Sequence, residues 1–468
     1  MLDTTAQISA IPIARRLAAF AGTLDGDAIP PAVRERARLL ILDAVGIALA
    51  STQYDFAHRT LNGLREFGEG PSPVIGYGAR LALRDAVTMN GLLIHGLDYD
   101  DTHTRGVIHA TASCFPTALG MADDIAASGR DLVTAYVAGI EVATRLGSVA
   151  KGGFHQTGFH PTGLLGIFGT TLVAGRMRNL TEDQLASAQG IALSLASGSL
   201  EFLQDGAWTK RLHPGIAGAQ GITAAALARN GFVGPKAAYE GRFGLYASHL
   251  GPLFANCDLG LATEGLGETW EVTNVAVKPL PACHFTHASA DAAAILRERH
   301  GLSPDMIDSV RALVPAEVVK TVCEPVATKK RPQNSYDAQF SIPFAVASGI
   351  RHGRFGLREL EPQALNDPET LALAQKVEYE VDPDSPFPKY YSGEVVIRLK
   401  DGREIAHREE MNRGSSDRPL SADDITRKFR ENAAMALSAS AVARIEDAVL
   451  GLDEIGDARD FASLLAGN

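Results

Sequence analysis

Thirteen histidines are spread unevenly along the chain, and four stretches set them among carboxylates, cations and glycines. The first is His95-Gly-Leu-Asp98-Tyr-Asp100-Asp101-Thr-His103, followed by His109. Carboxylates and imidazoles crowded into so short a span can act as coupled acid–base groups whose pKa values are pushed apart. An Asp-rich turn with solvated or capping carboxylates is the simpler alternative. Aspartate and histidine also ligate metals, but the spacings match no known loop template, so no metal is expected.

The second stretch, Gly158-Phe-His160-Pro161-Thr-Gly163, opens a glycine-dotted apolar helix. It puts an imidazole beside a helix N-terminus, where free N–H groups and the dipole favour an anion such as a carboxylate. The third, Asp205-Gly-Ala-Trp208-Thr-Lys210-Arg211-Leu-His213-Pro214-Gly215, holds the only Lys and Arg between Arg178 and Arg229. Two cations amid small apolar residues suit a pocket for an anion, with Arg211 as carboxylate clamp and Lys210 as base or point charge. A solvated loop would explain them equally. In the fourth, Lys278-Pro-Leu-Pro281-Ala-Cys283-His284-Phe-Thr-His287, one helix face can present both histidines. A zinc site there lacks a second ligand pair.

Helices must position most of these groups. Pro30 and Pro31 precede an apolar helical run over 33–50. Asp131 is expected to cap the next long helix, and Thr181-Glu-Asp-Gln184 reads as a capping box. Gly139, Gly166, Gly169, Gly190 and Gly218 each cost a helix about 1 kcal/mol, so close packing or backbone approach to a ligand is the expected compensation. From about residue 269 the texture changes. Trp270–Val277 and Ile307–Val314 alternate like strands, and Asp401-Gly402 between two strand-like runs predicts a hairpin. Helical patterns over 284–300, 336–350, 422–437 and 440–452 complete the chain. The expectation is a mainly α protein: a helical domain over 1–268, an α+β insertion over 269–410, and a return to helix over 411–468.

Composition limits the function. The net charge is −11, from 44 Lys+Arg against 55 Asp+Glu, which argues against binding a phosphate backbone. Aromatics are few at 6%, while glycine is plentiful at 46 residues, a pairing that fits tightly packed helices. The four cysteines are scattered, without a CxxC pair, so neither zinc ribbon nor iron–sulfur cluster is indicated. With no evident signal peptide, and apolar runs broken by Gly and Thr, a cytoplasmic protein without membrane or nucleic-acid partners is expected.

Taken in order, the four stretches resemble the signature segments of the MmgE/PrpD family, over about residues 10–455. HGLDYDDTH with His109 is similar to its Asp-rich motif, FHPTG to its helix start, DGAWTKRLHPG to its lysine loop and KPLPACHFTHASADA to its Lys-Pro and Thr-His segment. The family includes 2-methylcitrate dehydratase, cis-aconitate decarboxylase and iminodisuccinate epimerase. The resemblance implies a helical core with an α+β lid, a homodimer, and catalysis without metal or cofactor. It implies catalytic roles for Asp98, His109, His160, Lys210 and His287, with His103, Arg211 and Lys278 binding substrate. The spacing from Asp98 to His109 is one residue longer than in the decarboxylase pattern, which makes His103 a competitor for the histidine role. Where the decarboxylases carry a tyrosine, this chain has Phe344.

The substrates of such enzymes are small polycarboxylates, and each reaction works at a carbon next to a carboxylate. Removing a proton there builds charge that needs cations and hydrogen-bond donors. Return of a proton from the opposite face gives epimerisation, and loss of a β-hydroxyl gives dehydration. With several bases and donors available, and the tyrosine missing, the expectation is an epimerase, with dehydration of a methylcitrate-like tricarboxylate as the alternative and decarboxylation third. A non-catalytic anion-binding protein is the remaining possibility, although binding alone has little use for a carboxylate such as Asp98.

Overall fold

A computed structural model describes residues 11–387, 389–415 and 417–467. They form two compact units, 11–277 with 421–467, and 278–420. The divisions fall after Val277 and Leu420, later than the 268 and 410 expected from sequence texture. The first difference has a local cause. Trp270–Val277 alternates like a strand, but Glu271–Asn274 is a 3-10 turn and only Val275–Ala276 pairs, antiparallel, with Thr102–His103. The segment therefore belongs to the first unit.

That unit is built on helices α1 (Ile13–Thr23), α2 (Pro31–Ser51), α3 (Asp55–Arg65), α4 (Leu83–His95), α5 (Thr111–Ile125), α6 (Gly129–Val149), α7 (Pro161–Met177), α8 (Glu182–Leu193) and α9 (Thr209–Arg229). α2 and α7 begin with proline at the first helical position, where a missing N–H costs nothing. The Thr181 box opens α8, its hydroxyl accepting from Gln184 N and its N–H donating to the Gln184 side chain. α6 starts earlier than expected. Ser128 is its cap, accepting from Asp131 N, so Asp131 sits in the first turn. Although α6 is long and apolar enough to cross a membrane, its apolar window is entirely buried, as in a core helix.

Glycine sets how close the helices come. A Cβ on Gly91 of α4 would lie 2.6 Å from Gly215 Cα, and one on Gly215 only 2.1 Å from the Thr88 carbonyl oxygen. The backbones of α4 and α9 thus touch, which brings the first turn of α9 to the end of α4. The five glycines singled out from sequence behave alike, each having a heavy atom within 2.7 Å of where its Cβ would stand.

In the second unit, α10 (His284–His300) and α11 (Ile342–His352) pack together beside a four-stranded sheet. Its strands are β1 (Ile307–Val314), β2 (Val377–Val381), β3 (Gly393–Leu399) and β4 (Glu404–Glu409), in the order β2-β1-β3-β4. β1 and β2 are parallel, and the other pairs antiparallel. Gly402 turns the expected hairpin at a positive φ of 90°, open to glycine without strain. Val310, Val346, Ile350, Val395 and Ile397 lie in its core. The helical pattern over 336–350 is interrupted, because Ser341 leaves it to cap α11 through Phe344 N.

The chain then returns to the first unit as α12 (Ala422–Ala433), α13 (Ala439–Leu450) and α14 (Ala458–Leu465). α12 lies on α2, with Phe429 Cα 3.0 Å from the position of a Cβ on Gly46.

Candidate active site

The Asp-rich segment links α4 to α5 through a tight, strained turn. Asp98 has φ 51° and Val107 also φ 51°. Aspartate tolerates this left-handed conformation, but a β-branched valine rarely adopts it. Between them His103 and Ile108 exchange backbone hydrogen bonds of 2.8 and 3.3 Å, so residues 103–108 form a small loop before His109.

The loop separates the two competing histidines. His103 Nε2 donates to Glu271 at 2.9 Å, and its Nδ1 accepts from Gly106 N at 3.1 Å. Both nitrogens of this buried ring are committed to holding the loop. Burial lowers its pKa, partly offset by Glu271. Burial alone would raise the Glu271 carboxyl, but hydrogen bonds from His103, Arg105 and Asn274 hold it well below the usual range. His109 lies elsewhere. Its Nδ1 is 2.6 Å from the Asp101 carbonyl oxygen, an obligate acceptor, so Nδ1 carries the proton and Nε2 is the basic nitrogen of the neutral ring. Its backbone N–H donates to Thr162 Oγ1, fixing it to the start of α7.

There His109 joins a group of imidazoles. His95 lies 5.0 Å from His109 and 5.5 Å from His160, ring centre to ring centre, and His160 is 5.1 Å from His213. His95 donates from Nδ1 to Asp100 at 2.7 Å, and its buried Nε2 has no hydrogen-bond partner among the described residues. His160 is the residue before the first turn of α7, as the sequence predicts. Burial, with the charges of neighbouring imidazoles and Lys210, holds it neutral, its pKa well below the usual value. His95, Asp100 and His109 offer three ligand atoms within 4.8 Å of one another, a spacing a divalent cation could also use.

Lys210 Nζ donates to Asp98 at 2.6 Å, their side chains 12% and 8% exposed. Arg211 holds the same turn, Nε donating to the Gly96 carbonyl at 2.8 Å while the guanidinium lies 4.6 Å from the centre of the Phe56 ring. Beneath the turn, Asp101 accepts from Thr111, and burial beside Asp100 pushes its carboxyl up to about 8. Lys428, from α12, pairs with Asp43 at 2.7 Å, donates to the Tyr99 carbonyl at 2.9 Å and sits 3.8 Å from the Tyr99 ring centre.

Of the expected site residues, Asp98, His109, His160, Lys210 and Arg211 come from elements of the first unit, and His103 is set apart in its loop. Lys278 and His287 belong to the second unit. Lys278 is buried there, and His287 is fully buried at the start of α10, Nε2 donating to the Ala282 carbonyl at 3.1 Å, with the His284 ring 4.7 Å away. Phe344 is also in the second unit, fully buried, its ring 6.1 Å from Phe355. His95, Asp100, His213, Glu271 and Lys428 are absent from the expected set. His95 and His213 stand inside the quoted motifs, whereas Glu271 and Lys428 reach their partners across 168 and 329 residues with no local signal.

Residues 15–254 match the model of the MmgE/PrpD N-terminal domain, and residues 280–454 that of the MmgE/PrpD C-terminal domain. A cis-aconitate decarboxylase-like protein of Aspergillus oryzae is 25% identical over 463 residues, covering 94% of each chain. The cis-aconitate decarboxylases of Mus musculus and Homo sapiens are each 28% identical, over 96% and 93% of this chain and 93% and 90% of their own lengths.

Proposed function

The chain belongs to the MmgE/PrpD family, and on that premise we propose that it is a lyase moving a proton at a carbon next to a carboxylate of a small polycarboxylate. The observation that carries this is the buried group of His95, His109 and His160 together with the Lys210–Asp98 pair. The epimerase expected from the residues gives way, because the relatives found are decarboxylases, and decarboxylases are lyases.

His109 takes the proton through Nε2, its ring held by the Asp101 carbonyl and Thr162. Lys210 exchanges Asp98 for the substrate carboxylate and stabilises the charge that develops on it. Asp98, fixed by the strained turn, returns as the partner of the ammonium once product leaves. His160 handles the second proton, which meets the departing group. The side chains supply all of this chemistry, without a cofactor. Within the lyases, this chain has Phe344 in place of the tyrosine that the resemblance assigns to the decarboxylases, and the missing hydroxyl favours dehydration.

Incubation with a panel of di- and tricarboxylates in D₂O, followed by proton NMR and carbon dioxide detection, tests the assignment. An olefin formed without carbon dioxide is expected. Carbon dioxide release would keep the lyase and remove dehydration, and inversion without bond cleavage would remove the lyase.

A further inference from the structure

We infer that His213, outside the expected catalytic set, is the outer half of a proton relay that serves His160. This rests on the role proposed above for His160. The two Nδ1 atoms are 2.9 Å apart. Two imidazoles can bond through these atoms only if one nitrogen donates and the other accepts, so neutral rings must hold opposite tautomers. Burial pushes His213 down to about 4, and His160 is held low as well, so both rings are neutral near pH 7 and share one proton between them.

The surroundings fit a relay. His160 is buried, whereas His213 is half-buried and lines a cavity of about 240 Å³ with Ser197 and Thr209 among its walls. Phe202, itself buried, stands edge-on to both rings, 5.8 Å from His160 and 6.0 Å from His213, and keeps water from the contact. Gly163 permits the approach, because a Cβ there would meet His213 Cβ at 3.0 Å and the Ser197 carbonyl oxygen at 2.9 Å.

His160 gives its Nε2 proton to the departing group as its Nδ1 takes the Nδ1 proton of His213. His213 Nε2 then takes a proton from water in the cavity. Both rings end neutral with tautomers exchanged, and the proton that His109 took from carbon, arriving at His160 Nε2, leaves by the same steps reversed and restores the pair. One proton in and one out is what a dehydration requires.

The test combines kinetics with long-range ¹H–¹⁵N NMR of histidine-labelled protein. In the wild type, one pair of imidazoles is expected in opposite tautomers with an Nδ1 proton shifted far downfield, and His213→Ala should abolish that signal. With a substrate from the panel, His213→Ala should lower kcat by on the order of 10²-fold at nearly constant KM, and added imidazole should restore it, which a purely structural role would not allow. Gly163→Ala, which displaces the ring without removing it, should lower kcat in the same way and covers the case in which His213→Ala does not fold. Matching tautomers in the wild type, or undiminished kcat in either variant, would overturn the relay. If no polycarboxylate is turned over, the reaction assignment fails while the tautomers still decide the pairing.

Discussion

Replacing Lys210 by methionine removes the cation that Asp98 meets at 2.6 Å, and the size of the effect follows from the geometry. At an effective dielectric constant of about 20, unit charges at this separation attract by roughly 6 kcal/mol. Desolvation of both groups offsets much of this, and breaking a largely buried pair typically costs about 3 kcal/mol. The pair should therefore show strong coupling in a double-mutant cycle of Lys210→Met, Asp98→Asn and the double variant. Lys210→Met should be the least stable of the three, because it strands a carboxylate near its apolar replacement, and adding Asp98→Asn should recover about 2 kcal/mol. Urea unfolding followed by tryptophan fluorescence suits the measurement, since both tryptophans, Trp208 and Trp270, lie in the first unit. Lys210→Met should also lower kcat by on the order of 10²–10³-fold, and restoring stability in the double variant should not restore turnover. Additivity to within about 0.5 kcal/mol would refute the pairing, and near-normal turnover would remove Lys210 from the chemistry.

The two histidines of the Asp-rich segment should separate cleanly. His103→Asn should lower the melting temperature and leave kcat within a few-fold, whereas His109→Asn should lower kcat by on the order of 10²-fold with little change in melting; the reverse pattern would exchange their roles. Overnight treatment with a strong chelator should leave turnover unchanged, and lost activity regained with a divalent cation would convert His95, Asp100 and His109 into a metal site. Stability should fall as pH rises from 7 to 8. The Asp101 carboxyl is raised to about 8 from an ordinary 3.8, so over this range the folded state holds a proton that the unfolded state has released. His213, lowered to about 4, is neutral in the folded state and mostly neutral in the unfolded one, and Glu141, raised to about 7, is half ionised at pH 7 and adds a smaller fall of the same sign, about 0.3 kcal/mol. The loss should be about 1 kcal/mol, and Asp101→Asn should flatten the slope; an unchanged slope would rule out Asp101 as its source.

The local features of the site were legible in the sequence because short-range chemistry determines them. His-Pro-Thr-Gly starts a helix, Thr181 and Gln184 close a capping box, and Asp401-Gly402 turns a hairpin, each through contacts within a few residues. The glycines indicated close packing without saying which helices meet, and the contact of Gly91 with Gly215 appears only in the folded chain. Two errors share a cause. The alternation of Trp270–Val277 suggested a strand, but Glu271 is needed to hold His103 and Arg105, and so the segment turns. Asp131 looked like a cap until Ser128 took that place. In both cases a neighbour competed for the same backbone or side chain. Lys428 carries no signal at all in its own stretch, where it reads as one more polar residue of an amphipathic helix.

Lys428 also fixes when the site can exist during synthesis. Asp43, Tyr99 and the histidines leave the ribosome early, but the ammonium that binds both the Asp43 carboxylate and the Tyr99 carbonyl follows only after the whole second unit has been translated. Until then the nascent first unit lacks the cation for a buried aspartate and the anchor for its Asp-rich turn. A ribosome stalled before α12 would therefore display helices α1 to α9 with the Asp-rich turn still unanchored, and this contact of the candidate site would form only once α12 has emerged.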